Sequence, residues 1–224
     1  MSLESTPYPG VSMVWKGKQK LLLTKNLTPG KMFFRELIWD EQGVEYRAFD
    51  PRHSKIAAAF AKRIHSCPIQ AGSSLLYLGA AHGYTASFLS DIVGKNGVLY
   101  CVDMAPRVVR DLYLLCEQRE NMQPILADAN KPDLYAKRIT PVDIIVQDVA
   151  ARMQVPILFK NLQFLKPKGY VLFSVKARSI DVTKKPSTIF QQVEEQLKDK
   201  LKVLEKVDLG PFEKDHVLFL CQKK

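Results

Sequence analysis

The chain has 224 residues, 46% hydrophobic and 25% charged, which suits one globular unit with a small appendage and leaves no apolar run near the ~20 residues of a membrane span. Thirty-three Lys and Arg against 23 Asp and Glu give a formal charge of +10, which favours nucleic acid or another polyanion as partner. Cys67, Cys101, Cys116 and Cys221 lack C-x-x-C spacing, which speaks against zinc and disulfides and for reduced core thiols, and MSLESTPYPG has no basic region before an apolar core, so the expectation is an intracellular protein with no metal and no membrane partner.

Residues 1–50 hold four short extended segments, VSMVWK, KQKLLLTK, MFFRELIW and VEYRAF, separated by Lys-Gly, Thr-Pro-Gly and Asp-Glu-Gln-Gly turn signals. They predict a small antiparallel β subdomain over 1–50, in front of a second domain over 51–224. After Asp50-Pro51 the pattern changes to SKIAAAFAKRI, where Ile56, Phe60 and Ile64 recur four apart and Ser54 stands as N-cap. Strands and helices then alternate. LLYLG (75–79) leads to a helix carrying Phe88, Leu89, Ile92 and Val93 and stopped by Gly94. GVLYCVD (97–103) leads to a helix over about 106–120, and PILAD (124–128) and VDIIVQD (142–148) continue the strand pattern. A helix over 153–165 ends at Pro167-Lys168-Gly169 before YVLFSVK (170–176); a last helix over 187–201 precedes KVLEKVDL and HVLFLCQ, spaced to form a closing hairpin. The apolar strands are nearly continuous, as in an α/β fold whose parallel sheet is covered on both faces.

The stretch LLYLGAAHGYT breaks on Gly79 and again on Gly83. No Lys-Ser/Thr pair follows, which excludes a P-loop, and the middle glycine of G-x-G-x-x-G is missing, which weakens a pyrophosphate site; a glycine turn with no ligand remains an alternative. Polar residues at strand ends decide more. Asp103, Asp128, Asp148 and Lys176 close four successive strands, on the edge where open parallel sheets bind ligands. Each alone reads equally well as a cap or turn residue. Together, an acid for a ribose diol, another for an adenine amine and no pyrophosphate cradle describe S-adenosylmethionine better than NAD. The basic excess gathers late: residues 160–185 hold Lys160, Lys166, Lys168, Lys176, Arg178, Lys184 and Lys185 against Asp181 alone.

With LLTKNLTPG, EYRAFDPRHSKIAAAF, DIVGKNGVLYCVD, DVA, SVKA followed by Asp-x-Thr, and DHVLFL, these motifs make nearly the whole chain similar to fibrillarin, the ribose 2′-O-methyltransferase family of box C/D ribonucleoprotein particles. The resemblance implies a Rossmann-like S-adenosylmethionine-dependent methyltransferase fold, mostly parallel and seven-stranded, with a C-terminal antiparallel hairpin. It implies a catalytic set of Lys55, Asp148, Lys176 and His216, and cofactor contacts at Gly79, Tyr84, Thr85, Asp103, Met104, Asp128, Ala129, and Asp148 with Val149, Ala150 and Ala151. Its partners would be a box C/D guide RNA, a target rRNA or tRNA, a kink-turn-binding ribosomal-type protein and a Nop-family scaffold. The family usually shows G-A-A-S-G-T-T, an acid-Phe pair and D-V-A-Q, where this chain has His82 and Tyr84, Met104, and Ala151. No Gly/Arg-rich front segment appears, so the expectation is an archaeal-type, cytoplasmic form.

Methyl transfer to a 2′-hydroxyl is an in-line displacement that must also remove a proton from a weakly acidic alcohol. Lys176 is the candidate base, provided burial or a neighbouring cation disfavours its charge. Asp148 would orient Lys176 and the methyl group, Lys55 would hold the hydroxyl or a phosphate, and His216 would fix the geometry. Arg178, Lys184 and Lys185, just past Lys176, are the expected RNA contacts. Competing readings are a free-standing RNA methyltransferase with a Lys-Asp-Lys-Glu set, a Mg²⁺-dependent O-methyltransferase, for which no extra carboxylate cluster is evident, and a non-catalytic RNA-binding scaffold that keeps the fold. No RRM-like aromatic signature or zinc knuckle is present, so sequence choice falls to the guide.

Overall fold

A computed structural model describes residues 3–224. The front of the chain forms a five-stranded antiparallel sheet from β1 (Glu4–Ser5), β2 (Val11–Lys16), β3 (Gln19–Lys25), β4 (Ile38–Glu41) and β5 (Val44–Ala48), in the order β1-β2-β3-β5-β4. The expected strand MFFRELIW is mostly loop, with β4 starting only at Ile38. Glu36 folds that loop back on itself: its carboxylate accepts the Phe33 and Phe34 amides at 3.4 and 2.7 Å, and Arg35 takes a left-handed φ of 56°.

The rest alternates: α1 (Lys55–Ala61), β6 (Ser74–Leu78), α2 (Tyr84–Val93), β7 (Val98–Asp103), α3 (Pro106–Cys116), β8 (Met122–Leu126), β9 (Val142–Gln147), α4 (Gln154–Asn161), β10 (Leu165–Lys176), α5 (Ala177–Ile180), α6 (Pro186–Leu197), β11 (Leu201–Asp208) and β12 (His216–Lys223). The seven strands order as β11-β12-β10-β9-β6-β7-β8, parallel except for β12, which runs antiparallel to both β10 and β11. The order reverses direction between β6 and β9, so the ends of those two strands flank the topological switch point.

Period-2 alternation splits the sheet's side chains between two cores. Leu75 and Tyr77 face the layer of α1, α2 and α3 with Ile56, Phe88 and Leu112, while Leu76 and Leu78 face α4 and α6 with Leu158, Phe190 and Leu197. The predicted helices run too long at their C-termini. α3 stops at Cys116, α4 at Asn161 and α6 at Leu197. Asn161 ends α4 by turning its side-chain amide onto the carbonyls of Ala129 and Ile157, at 2.9 and 2.8 Å. Pro167-Lys168-Gly169 is not a helix stop but an irregularity inside β10, where Lys168 has a φ of 59° and the pairing with β9 shifts between Leu165 and Tyr170. Strand β8 sits earlier than PILAD predicts, so Asp128 falls two residues past its end.

The front sheet joins this body through a buried ion cluster. Arg47 of β5 contacts Glu36 at 2.6 Å and Asp91 of α2 at 2.9 Å; Arg119 reaches the other Asp91 oxygen at 2.8 Å, and all four side chains are at most 1% exposed. Arg47 also lies 4.2 Å from the Phe88 ring centre and Arg119 5.0 Å from that of Phe33, so the guanidiniums exchange water for carboxylates and aromatic faces. Burial opposes the Glu36 carboxylate, but Arg47 and the loop amides outweigh it and hold its pKa below the ordinary value.

Candidate functional site

Gly79 leaves β6 with a φ of 84°, and a Cβ there would collide with the backbone carbonyl of Asp148. The glycine is needed because the ends of β6 and β9 touch; the Asp148 amide donates to Leu78 O at 2.9 Å. Ala81 occupies the missing middle-glycine position. It still adopts a left-handed φ of 48°, with its N–H donated at 2.9 Å to Asp103 Oδ2, so the turn keeps the bend although a Cβ stands where the dinucleotide fingerprint has glycine. Asp103 Oδ1 accepts the Ala105 amide at 3.0 Å. Each carboxylate oxygen therefore retains a lone pair, which fits a ribose diol. Asp128 makes a turn bond to the Asn130 amide at 2.8 Å and stays half-buried. Met104 is 66% exposed, free to lie against a flat ligand, and Ala129 is buried, with its carbonyl held by Asn161. Val149 and Ala151 are half-buried, with Ala150 exposed, in the loop after Asp148.

Tyr84 and Thr85 turn their side chains toward the protein. Tyr84 packs against Phe34, His53 and Phe88, its hydroxyl accepts the Asp50 amide at 3.2 Å, and burial pushes its pKa up to about 12. Thr85 Oγ1 donates to Ser54 Oγ at 3.0 Å, and Ser54 in turn caps α1 through the Ala57 amide. The first turns of α1 and α2 are thereby tied together, which leaves backbone, rather than hydroxyls, for a ligand at 84–85. His82 and Tyr84 line a cavity of about 640 Å³ with Phe33, Phe34, His53 and Leu115, and His82 Nδ1 lies 2.8 Å from Asp111 at its edge.

The Ser54–Thr85 tie sets Lys55 beside the switch point. Its Nζ lies 3.1 Å from Asp148 Oδ2 and 3.6 Å from Glu213 Oε1. Burial disfavours the Lys55 ammonium, yet the two carboxylates prevail and its pKa is raised. Asp148 is thus paired with Lys55 rather than oriented on Lys176 as the sequence suggests. Lys176 ends β10, exposed, directly opposite His216 in the antiparallel register with β12. Its backbone carbonyl accepts Gln154 Nε2 at 3.2 Å, and Gln147 Nε2 donates to Gln154 O at 2.8 Å, a buried brace joining the ends of β9 and β10. His216, 7% exposed, lies with Nδ1 2.7 Å from Lys214 O; a carbonyl only accepts, so Nδ1 carries the proton and Nε2 is the acceptor in the neutral ring. Lys55, Asp148, Lys176 and His216, scattered over 162 residues, meet on one rim.

The basic run does not stay together. Lys166 and Lys168 lie at the far end of β10, where Lys166 pairs with Asp143 at 2.6 Å, while Lys176, Arg178, Lys184 and Lys185 stand at the rim. Arg178 is partly engaged, donating to Asp215 Oδ2 and Val182 O, both at 3.0 Å; Lys185 is exposed at the start of α6. Sequence reading missed Glu213, Gln147 and Gln154. Glu213 lies two residues ahead of DHVLFL, and polar residues in a hairpin loop carry no pattern of their own.

Residues 3–224 match the family model described as Fibrillarin. A fibrillarin-like rRNA/tRNA 2′-O-methyltransferase from Thermococcus sibiricus is 42% identical over the full length of both chains. The structure of Aeropyrum pernix fibrillarin in complex with natively bound S-adenosyl-L-methionine superposes with a TM-score of 0.92 at 39% identity, covering 99% of this chain and 98% of that one. A fibrillarin/Nop5p complex contains a chain similar at a TM-score of 0.84 and 35% identity, with 91% of this chain and 94% of that one covered.

Proposed function

The chain belongs to the fibrillarin family, and from that premise we propose how it acts: it methylates ribose 2′-hydroxyls of rRNA and tRNA from S-adenosyl-L-methionine, using Lys55, Asp148, Lys176 and His216. The observation that supports the reading is the placement of all four residues along the carboxyl-end rim of the sheet, with Lys55 paired to Asp148 and Lys176 in register with His216, beside a glycine turn whose Asp103 keeps free lone pairs. When bound, S-adenosylmethionine supplies a methyl carbon on a cationic sulfur. Asp103 would hold its ribose hydroxyls and Asp128 its adenine amine, with Met104 and Ala129 beside the base and Gly79, the backbone of Tyr84 and Thr85, and the Asp148–Ala151 segment around the remainder.

Lys55 keeps its proton between two carboxylates, so its part is to hold the acceptor oxygen or a neighbouring phosphate, and the base is another group. Lys176 takes the 2′-hydroxyl proton once RNA covers the rim and strips water from its amine, the desolvation that an exposed lysine lacks. Asp148 anchors Lys55, and through its backbone bond to Leu78 it ties that anchor to the cofactor turn. His216, locked in one tautomer and paired in register with Lys176, fixes the direction of the strand end. Arg178, Lys184 and Lys185 meet RNA phosphates, which positions the strand without reading its bases.

Sequence choice then comes from outside the chain. The Nop5p complex of a relative supports docking on a Nop-family scaffold; a box C/D guide RNA paired with its target and a kink-turn-binding ribosomal-type protein complete the proposed particle. Transfer of tritiated methyl groups tests this directly. The chain alone should give negligible methylation of a short target RNA, and the assembled particle should place label in a 2′-O-methylnucleoside at the guided position. Efficient, sequence-selective transfer by the chain alone would refute the guided reading, and label on a base would refute ribose chemistry.

A further inference from the structure

The loop between β11 and β12 already has its anchors. Leu209 is fully buried, Lys62 just past α1 donates to Gly210 O at 2.7 Å, and the Ala177 amide donates to Asp215 O at 3.1 Å. Glu213 is therefore not needed to hold the loop down. Its carboxylate, 21% exposed, instead spends one oxygen on Lys55 at 3.6 Å and places the other 3.9 Å from His216 Nδ1. An ion pair this open to water adds little to stability. It does stand between two members of the proposed reacting set, Lys55 on α1 and His216 on β12, whose Nδ1 proton already goes to Lys214 O.

We propose that Glu213 is a positioning residue of the transfer site: it shares the Lys55 ammonium with Asp148, fixes where that ammonium stands at the rim, and acts on the acceptor only through it. The inference rests on the methyltransferase reading given above. Two carboxylates around one ammonium also explain why the lysine stays charged although partly buried: Asp148 faces it from the end of β9 and Glu213 from the hairpin loop, with His216 beyond Glu213. Removing Glu213 leaves Asp148 as the single anionic partner, so Lys55 gains freedom to swing and loses part of its hold on the proton.

Two measurements test this. In the isolated full-length chain, lysines dimethylated with ¹³C-formaldehyde are titrated by NMR, with the Lys55 signal assigned from Lys55→Arg; Glu213→Gln should move its titration to lower pH, and an unchanged titration overturns the proposal whether or not the chain transfers methyl groups. In the assembled particle, Glu213→Gln should slow single-turnover transfer roughly three- to tenfold at saturating RNA and cofactor, the scale of a partly screened ion contact, with both affinities retained. Glu213→Asp should restore part of the rate. In a Lys55→Met background the Glu213→Gln change should cost nothing further. An additive loss there, or a rate loss that follows a drop in melting temperature without rescue by Asp, assigns Glu213 a merely structural role and overturns the inference. A wild-type particle that transfers no methyl group sinks the parent reading instead, and the Lys55 titration alone then decides whether Glu213 holds that ammonium.

Discussion

Two ion clusters in this molecule use the same chemical groups to opposite ends. Glu36, Arg47, Asp91 and Arg119 are sealed between the front sheet and α2, none more than 1% exposed in its side chain, and both Asp91 oxygens are occupied by guanidiniums. Lys55, Asp148 and Glu213 lie at the rim with 21–26% of each side chain exposed, sharing one ammonium between two carboxylates at looser distances. A sealed cluster is costly to disturb because each member leaves an uncompensated buried charge behind, while an open one keeps water and spare lone pairs with which to exchange partners. Exclusion of water, rather than the presence of charge, separates the structural ion cluster from one able to accept a substrate.

The contrast can be broken by four variants. Lys176→Ala should have the largest effect, a fall in single-turnover methylation on the order of 10²–10⁴ with RNA and cofactor binding and the unfolding midpoint retained. A wild-type rate in a saturated particle would remove Lys176 from catalysis and turn attention to Asp148. Asp91→Asn should do the reverse, costing about 3–5 kcal/mol in urea unfolding while molecules that remain folded bind cofactor normally; a loss under ~1 kcal/mol would show that the sealed cluster is not an integral brace. Asp103 lies between the extremes, half satisfied by backbone amides. Asp103→Ala should weaken S-adenosylmethionine binding by ~1.5–3 kcal/mol by calorimetry in a folded protein, and unchanged affinity would take it out of the site.

The smallest effect is a pH dependence. Because the folded state lowers the Glu36 pKa, its ionised form contributes stability that is fully present above the unfolded carboxylate value of ~4.3 and is lost as pH falls through the folded value. The gap in unfolding midpoint between wild type and Glu36→Gln should therefore narrow as pH drops from 7 to 3. A gap of constant width would mean that folding leaves the Glu36 pKa at its unfolded value.

Much of residues 51–224 was legible because the signals there are local. Gly94 stops α2 as read, β7 ends on Asp103, and the continuous apolar strands of a two-sided sheet could be placed within two residues except β10, which starts five residues before YVLFSVK. Helix ends were misjudged where a tertiary bond decides them, as Asn161 does for α4. MFFRELIW misled because an apolar segment between turn signals reads as extended, when Glu36 in fact bends the loop so that the Phe33 ring meets both Arg47 and Arg119. That cluster draws on positions 36, 47, 91 and 119, and no spacing rule connects residues so far apart. For the rim, motif resemblance named Lys55, Asp148, Lys176 and His216 as candidates, while the folded chain supplied the pairing: Asp148 with Lys55, and Glu213 beside Lys55 and His216.

The contact of Gly79 with the Asp148 carbonyl has a bearing on redesign. A pocket enlarged to take a bulkier sulfonium donor is usually sought by altering the residues around the ligand, and Gly79 lines the turn where space looks cheapest to change. Here any side chain at 79 would push the β9 terminus aside and carry Asp148, and Lys55 with it, out of line. A library aimed at alternative alkyl donors would therefore do better to vary Met104, which is 66% exposed just past β7.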